Sequence, residues 1–123
     1  MNTAGNSNRD IHEPITSGQQ LVIGLIRLLL PPHVDNEQAA DYLRTGIGQN
    51  NGMLEWAAVR PDNLSDVAQV SEYTVHASPT RSAIFDPGTT SRINVAHFMA
   101  ELITNEETWN AWKGQMPVIY NQA

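Results

Sequence analysis

Apolar residues cluster in a few segments of the chain, and the first long cluster predicts a helix. Ser17 and Gln20 fit a capping box, in which each side chain satisfies a free backbone amide at a helix start. The run Leu21–Leu30 follows, and two prolines at 31 and 32 end it because proline cannot donate the next helical hydrogen bond. This run is about half as long as a bilayer requires. We interpret it as a helix buried against a sheet or a partner, with an interfacial or partner-binding helix as the alternative.

A second capping pattern, Asp35 with Gln38, predicts another helix with a narrow apolar stripe, which Gly46 or Gly48 ends. The stripe consists of Ala39, Ala40, Leu43 and Ile47.

Three later segments have the character of strands. Met53–Val59 is apolar almost throughout, which suits a strand in a sheet covered on both faces, and Pro61 ends it. Tyr73–His76 is a short strand candidate, and Met116–Tyr120 closes the chain as another apolar strand.

Two helices are predicted between the last two strands. Thr90 or Ser91 can cap the first, whose apolar residues recur at i, i+3, i+4, i+7 and i+8 and therefore form one face to be buried. These residues are Val95, Phe98, Met99, Leu102 and Ile103. Asn105 caps the second helix, on which Trp109 and Trp112 share one side; we interpret the pair as a core anchor, with ligand stacking as the alternative.

This order of elements predicts an α/β fold. Two apolar strands separated by a long helical crossover are typical of parallel neighbours in one sheet with a right-handed connection. Residues 1–14 are polar and lack periodicity, so we predict an irregular N-terminal arm followed by a single α/β domain over residues 15–123.

Composition narrows the classes of function. The 123 residues include 13 acidic and 7 basic ones, for a formal charge of −6, and no basic cluster exists to bind nucleic acid. The chain has no cysteine, which excludes disulfides, thiolate metal sites and thiol nucleophiles. It has neither a signal-peptide pattern nor a run long enough to span a membrane. From the absence of cysteine we expect a cytoplasmic protein.

Local motifs give no sign of catalysis. The four histidines, at positions 12, 33, 76 and 97, lack metal-ligand spacing, and we predict neither a metal site nor a catalytic residue. His97 lies beside the apolar stripe of its helix, and we interpret it as a solvent-exposed residue, with a position facing a cleft as the alternative. No serine occupies a G-x-S-x-G elbow, and no glycine-rich phosphate-binding motif occurs.

Three segments in order resemble the atypical short-chain dehydrogenase/reductases, which are NAD(P)-binding proteins similar to nucleoside-diphosphate-sugar epimerases. The segments are W-A-A-V-R-P-D-N-L at 56–64, T-S-R-I-N-V-A-H-F-M at 90–99 and W-K-G-Q-M-P-V-I-Y-N at 112–121. The resemblance spans about two thirds of the chain. It implies a partial Rossmann-like fold: the C-terminal half of a doubly wound parallel sheet with flanking helices.

The resemblance also implies positions for ligand contacts. In such proteins the loop after the Arg-Pro strand lies near nicotinamide and substrate, which assigns cofactor contacts to Arg60, Pro61, Asp62, Asn63 and Leu64. The opening segment 2–5 resembles the end of the preceding strand, where Thr3 would supply a hydroxyl near the substrate. The alternative for Thr3 is an unordered terminal residue.

Two parts of the family pattern are missing from this sequence. It lacks the strand and G-x-x-G-x-x-G turn that hold the pyrophosphate, and it lacks the Tyr-x-x-x-Lys pair, since Lys113 is the only lysine. Asn36 or Glu37 stands where the lysine would come, and Tyr42 follows that position. A glutamate cannot replace an ammonium group, because its charge is opposite. We therefore expect no active dehydrogenase and no cofactor on this chain alone.

These departures predict a truncated, non-catalytic module for binding or self-assembly. Without the preceding strands, Met53–Val59 would form an unpaired edge beside an exposed apolar surface, and a homodimer would cover it by edge pairing or by exchange of the Leu21–Leu30 helix. The alternative is an NAD- or NADP-binding oxidoreductase or epimerase-like protein whose cleft is completed by dimerisation or by a separate chain that supplies the missing half.

Overall fold

A computed structural model describes residues 10, 11, 13, 16–29 and 31–122, and it confirms the mixed α/β class. The four α-helices are α1 (Ser17–Leu29), α2 (Pro31–Asp41), α3 (Arg92–Thr104) and α4 (Glu106–Trp112). The five strands are β1 (Arg60–Pro61), β2 (Asn63–Ser65), β3 (Tyr73–His76), β4 (Thr89–Ser91) and β5 (Val118–Asn121). Of the described helices, none combines the length and the apolar character needed to cross a bilayer.

The start of α1 differs from the predicted capping box. The Thr16 hydroxyl, rather than Ser17, accepts a hydrogen bond from the backbone amide of Gln19 at 3.2 Å. Threonine in this position satisfies one of the amides that the first helical turn leaves without a partner.

The second helix begins at Pro31, four residues before the predicted cap at Asp35, and Pro31 and Pro32 lie in its first turn. Proline fits there, since amides of the first turn have no helical acceptor. The helix continues as a π-helical turn over Tyr42–Ile47, and the Gly48 amide closes it by donating to Leu43 O at 2.9 Å. Leu43 and Ile47 pack on a small core of Ala40, Trp56, Ala58 and Met116.

The main sheet has the order β1-β5-β3. Strands β1 and β5 are parallel, as predicted, with Arg60 opposite Val118, whereas β3 is antiparallel to β5, so the sheet is mixed. A second sheet pairs β2 with β4 in parallel, with Leu64 opposite Thr90. A parallel pair is therefore present, but its first strand is Arg60–Pro61 and not the predicted apolar segment Met53–Val59.

The predicted strand Met53–Val59 was wrong in its bounds. Regular pairing begins only at Arg60, while Met53 and Leu54 are exposed. The segment before β1 nevertheless lies alongside the segment before β5. The Ala58 amide donates to Gln115 O, and the Gly114 amide donates to Trp56 O. These two bonds involve two different residues, Gly114 and Gln115, whereas a regular parallel ladder would use one residue for both, so the segment is extended but is not a ladder strand.

Helix α3 begins where the Ser91 side chain accepts from the Asn94 amide at 3.2 Å, which selects Ser91 over Thr90 as the cap. Its buried face was predicted too wide. Val95, Phe98 and Leu102 pack with Val59 and Ile119 in the main core, whereas Met99 and Ile103 are exposed. The i+4 and i+8 positions face outward because the sheet covers only one side of the helix.

Helix α4 connects α3 to β5. Asn105 caps it by accepting from the Thr108 amide at 3.2 Å, as predicted. Trp109 and Trp112 are half-buried and pack on the main core, which confirms the anchor interpretation. Gly114, with φ of 72°, then turns the chain toward β5 in a left-handed conformation that glycine adopts without steric strain.

Candidate functional site

Arg60, the first predicted cofactor contact, is fully buried. Its Nε donates to Met116 O at 2.7 Å, and its two terminal nitrogens donate to the two carboxylate oxygens of Glu13 at 2.8 and 3.3 Å. Nη2 also lies 3.3 Å from Ala77 O. The guanidinium therefore joins the segment before α1 to the main sheet. Contact with a nucleotide would require Arg60 to be uncovered, and it stays a prediction.

The rest of the predicted loop belongs to two strands. Pro61 is buried in β1, Leu64 is half-buried in β2 and packs on the main core, and Asn63 is exposed. Asp62 lies between the strands, and one carboxylate oxygen accepts from the Gly88 amide at 2.8 Å. Partial burial raises the pKa of Asp62 above its usual value, although this hydrogen bond opposes the change. The structure thus brings the four residues together, but only Asn63 presents a largely exposed side chain.

Thr3 lies outside the described residues, so its predicted contact with a substrate remains a prediction. His12 also lies outside them. Within the described part of the chain, no group of three or more potential metal ligands comes together.

A groove that local motifs did not reveal lies beside β3 and α3. Its volume is about 680 Å³, and its lining includes Ser71, Tyr73 and His97. The Tyr73 hydroxyl and His97 Nδ1 are 2.8 Å apart, and their rings meet edge to face. Burial and the Glu101 carboxylate raise the pKa of Tyr73, so its phenol stays protonated at neutral pH and can donate to Nδ1.

The wall of this groove is fixed by Asn94, whose side chain is fully buried on α3. Its amide nitrogen donates to Ser71 Oγ at 2.9 Å and to Asn121 Oδ1 at 2.8 Å, and its oxygen accepts from the Ser71 amide at 3.0 Å. One side chain therefore links α3, the segment before β3 and the end of β5. In the sequence, the sign of this role is weak: Asn94 is a short polar residue in the first turn after the helix cap.

A row of exposed apolar side chains lies on α1. Leu21, Leu25 and Leu28 recur at i, i+4 and i+7 and are 68%, 51% and 79% exposed, whereas Ile23 on another side of the helix is buried. We call Leu21, Gly24, Leu25 and Leu28 the α1 apolar face. Phe85, itself exposed, extends it at one end, since its ring lies 3.6 Å from where a Cβ on Gly18 would be. Adjacent exposed apolar side chains of this kind mark interaction surfaces.

The open edge of the main sheet is less suited to pairing. Among the described strands, β1 lies at an edge with β5 on one side only. The Arg60 amide points toward β5 and donates to Pro117 O at 2.8 Å, so the next residue directs its backbone nitrogen to the open edge. That residue is Pro61, which has no N–H to donate. A proline at this position blunts the edge against further strands.

No family model matches this chain, and neither a curated protein nor a solved structure matches it. The likeness to atypical short-chain dehydrogenase/reductases therefore depends on the three sequence segments at 56–64, 90–99 and 112–121.

Proposed function

We propose that this chain is a small self-assembly module, related to the C-terminal part of atypical short-chain dehydrogenase/reductases and not catalytic by itself. The observation that carries the proposal is the α1 apolar face, where Leu21, Leu25 and Leu28 are all more than half exposed. The parallel pairing of β1 with β5 across helical connections is consistent with a piece of a doubly wound, Rossmann-like sheet. The proposal includes a cytoplasmic location, because a chain without cysteine gains no disulfide from an oxidising compartment.

The exposed area permits association of moderate strength at most. Together the exposed fractions of the three leucines amount to about two whole side chains per copy. Burial of one leucine contributes about 1.5–3 kcal/mol, so a symmetric pair gains about 6–12 kcal/mol before costs. Association itself costs about 4–15 kcal/mol. The most favourable balance, about 8 kcal/mol, corresponds to a Kd of about 1 μM.

Sedimentation velocity over a series of protein concentrations tests this function. We expect the wild-type chain to shift from monomer to dimer as its concentration rises through the micromolar range. Leu25→Asp should remain monomeric, because dimerisation would bury its carboxylate in an apolar contact. Ile103→Asp is the matched control, since Ile103 is 84% exposed on α3, and it should dimerise like the wild type. A wild-type monomer at every concentration would refute the proposal.

A second candidate function is NAD or NADP binding in a cleft that dimerisation or another chain completes. It is favoured by the position of Asp62 and Asn63 directly after the carboxyl end of β1, where ligands bind in open parallel sheets. Titration of the chain with NAD(H) or NADP(H), followed by tryptophan fluorescence, tests binding by the chain itself, including its dimer. The same titration after addition of the chain encoded by a neighbouring reading frame tests the two-chain form. Saturable quenching would support this candidate, and its absence in both titrations would exclude it.

A further inference from the structure

The loop that leads toward β1 contains the pair Asn51-Gly52, and no other asparagine of the sequence precedes a glycine. Residues 49–55 are all exposed. Apart from the chain neighbours of Gly52, no described atom lies within 4 Å of the position that a Cβ would occupy there. The Gly52 backbone nitrogen therefore has neither a side chain of its own nor a described neighbour packed beside it to hinder contact with an adjacent group.

Hydrogen bonds to the backbone hold the Asn51 side chain in place. Its Oδ1 accepts from the Met53 amide at 2.9 Å and from the Leu54 amide at 3.1 Å, and its Nδ2 donates to Ile47 O at 3.4 Å. The two bonds to the oxygen have ordinary lengths, whereas the bond from the nitrogen is longer than usual. Between described residues, no hydrogen bond uses the Gly52 amide.

We propose that Asn51 is a site of spontaneous deamidation in the folded protein. The Gly52 nitrogen attacks Asn51 Cγ and closes a five-membered succinimide ring, while its proton passes to solvent. The bond between Cγ and Nδ2 breaks, and the nitrogen takes up a proton and leaves as ammonia. Water then adds to either ring carbonyl and opens the ring. The product is aspartate or isoaspartate, with one negative charge more than the −6 of the original chain.

The three hydrogen bonds of Asn51 favour this attack rather than restrain it. Negative charge develops on Oδ1 as the ring closes, and two backbone amides already donate to this atom. Donors that are fixed where charge develops stabilise the transition state. Departure of ammonia breaks the bond from Nδ2 to Ile47, which is the longest of the three. Both shorter bonds can persist through the attack, and the aspartate product can accept them as well.

Incubation of the full chain at neutral pH, followed by peptide mapping with mass spectrometry, tests the proposal. We expect the peptide with Asn51 to gain the mass difference between an amide and a carboxyl group before any peptide with another asparagine does. Chromatography should separate isoaspartyl from aspartyl forms, and Asn51→Asp supplies the aspartyl reference. Gly52→Ala should slow the conversion about tenfold or more, because its Cβ hinders the nitrogen. Asn50→Gln is the matched control, since it changes the exposed neighbour and should convert at the wild-type rate.

A synthetic peptide of residues 47–56 in the same buffer supplies the rate without the folded loop. If the amides of Met53 and Leu54 stabilise the attack, Asn51 should react at least as fast in the folded chain as in the peptide. A slower reaction in the folded chain would overturn the proposal, because it would show that the hydrogen bonds restrain the side chain. An unchanged rate in Gly52→Ala, or earlier conversion at another asparagine, would also overturn it. Self-assembly through α1 is tested separately by sedimentation and does not depend on these outcomes.

Discussion

Removal of the Glu13 side chain should destabilise the protein more than any surface change, because it leaves the charge of Arg60 buried without its carboxylate. The guanidinium side chain is 0% exposed and the Glu13 side chain 4% exposed. After Glu13→Ala, the carbonyl groups of Met116 and Ala77 still accept hydrogen bonds from Arg60 but supply no negative charge. Breaking a buried pair in this way costs about 3–5 kcal/mol, a large part of the stability of an ordinary domain.

Two further variants separate charge from packing. Glu13→Gln keeps the volume and one oxygen acceptor but removes the negative charge, so its loss of unfolding free energy should lie below that of Glu13→Ala. The double variant Glu13→Ala/Arg60→Met removes both charges of this ion pair together. We therefore expect its loss to be smaller than the sum of the two single losses by about 1–3 kcal/mol.

Urea unfolding followed by tryptophan fluorescence measures these free energies of unfolding. If the slope of free energy against urea concentration is the same for all variants, they unfold between comparable folded and unfolded states. Arg81 and Asp86 provide the matched control, since they form a 2.8 Å ion pair in which both side chains are about half exposed or more. Asp86→Ala should cost at most about 1 kcal/mol. A loss of unfolding free energy for Glu13→Ala that is no larger than the loss for Asp86→Ala would contradict a destabilising buried charge.

Three smaller predictions follow from other contacts. Gly88→Ala should lower the unfolding free energy by about 1–3 kcal/mol because a Cβ would overlap the Tyr120 ring, whereas Gly52→Ala, which meets no described atom within 4 Å, should not show this loss in the same urea experiment. Burial raises the pKa of Tyr120 above 10.0, so the folded state favours the neutral phenol, and the stability of the protein should fall as the pH rises above 10. In Tyr120→Phe, the thermal unfolding temperature should therefore decrease less at alkaline pH than it does in the wild type. The Trp109 indole N–H donates a 2.6 Å hydrogen bond to the Glu55 carboxylate and lowers the pKa of Glu55 below 4.5. Acid titration should therefore change tryptophan fluorescence at a midpoint pH below 4.5. Glu55→Gln should abolish that change.

Elements with strong local signals were predictable from the sequence. The cap at Ser91 and the apolar spacing of Val95, Phe98 and Leu102 define α3. The apolar segments on either side of the helical crossover predicted a parallel pair, although β1 consists of Arg60 and Pro61 and not of Met53–Val59. The sheet of β2 and β4 was not predictable in the same way. Its strands are short and mostly polar, and they pair across 26 residues of chain, as Asn63 with Thr89. Such pairing depends on tertiary contacts that no local pattern encodes.

The candidate sites show the same division. The apolar run of α1 predicted a helix buried against a sheet or a partner, yet three of its leucines are exposed. A helix that is apolar on several sides needs more than one partner to bury them all. Among the described residues, the rest of the chain covers the side of Ile23. The role of Arg60 depends on Glu13, which lies 47 residues away in sequence. Residue types and spacing identified Arg60 as unusual, but only the three-dimensional structure shows that its charge is neutralised inside the protein.

Asn94 has a consequence for how the molecule opens. Since the Asn94 side chain on α3 binds both Ser71 and Asn121, neither of these two segments can separate from α3 without breaking hydrogen bonds to Asn94. Backbone hydrogens around these positions should exchange with solvent deuterium at similar rates, as a single cooperative unit. The helices α1 and α2 lie outside this unit and can exchange independently of it. Isotope exchange would then divide this small protein into a late-opening C-terminal part and an early-opening helical part.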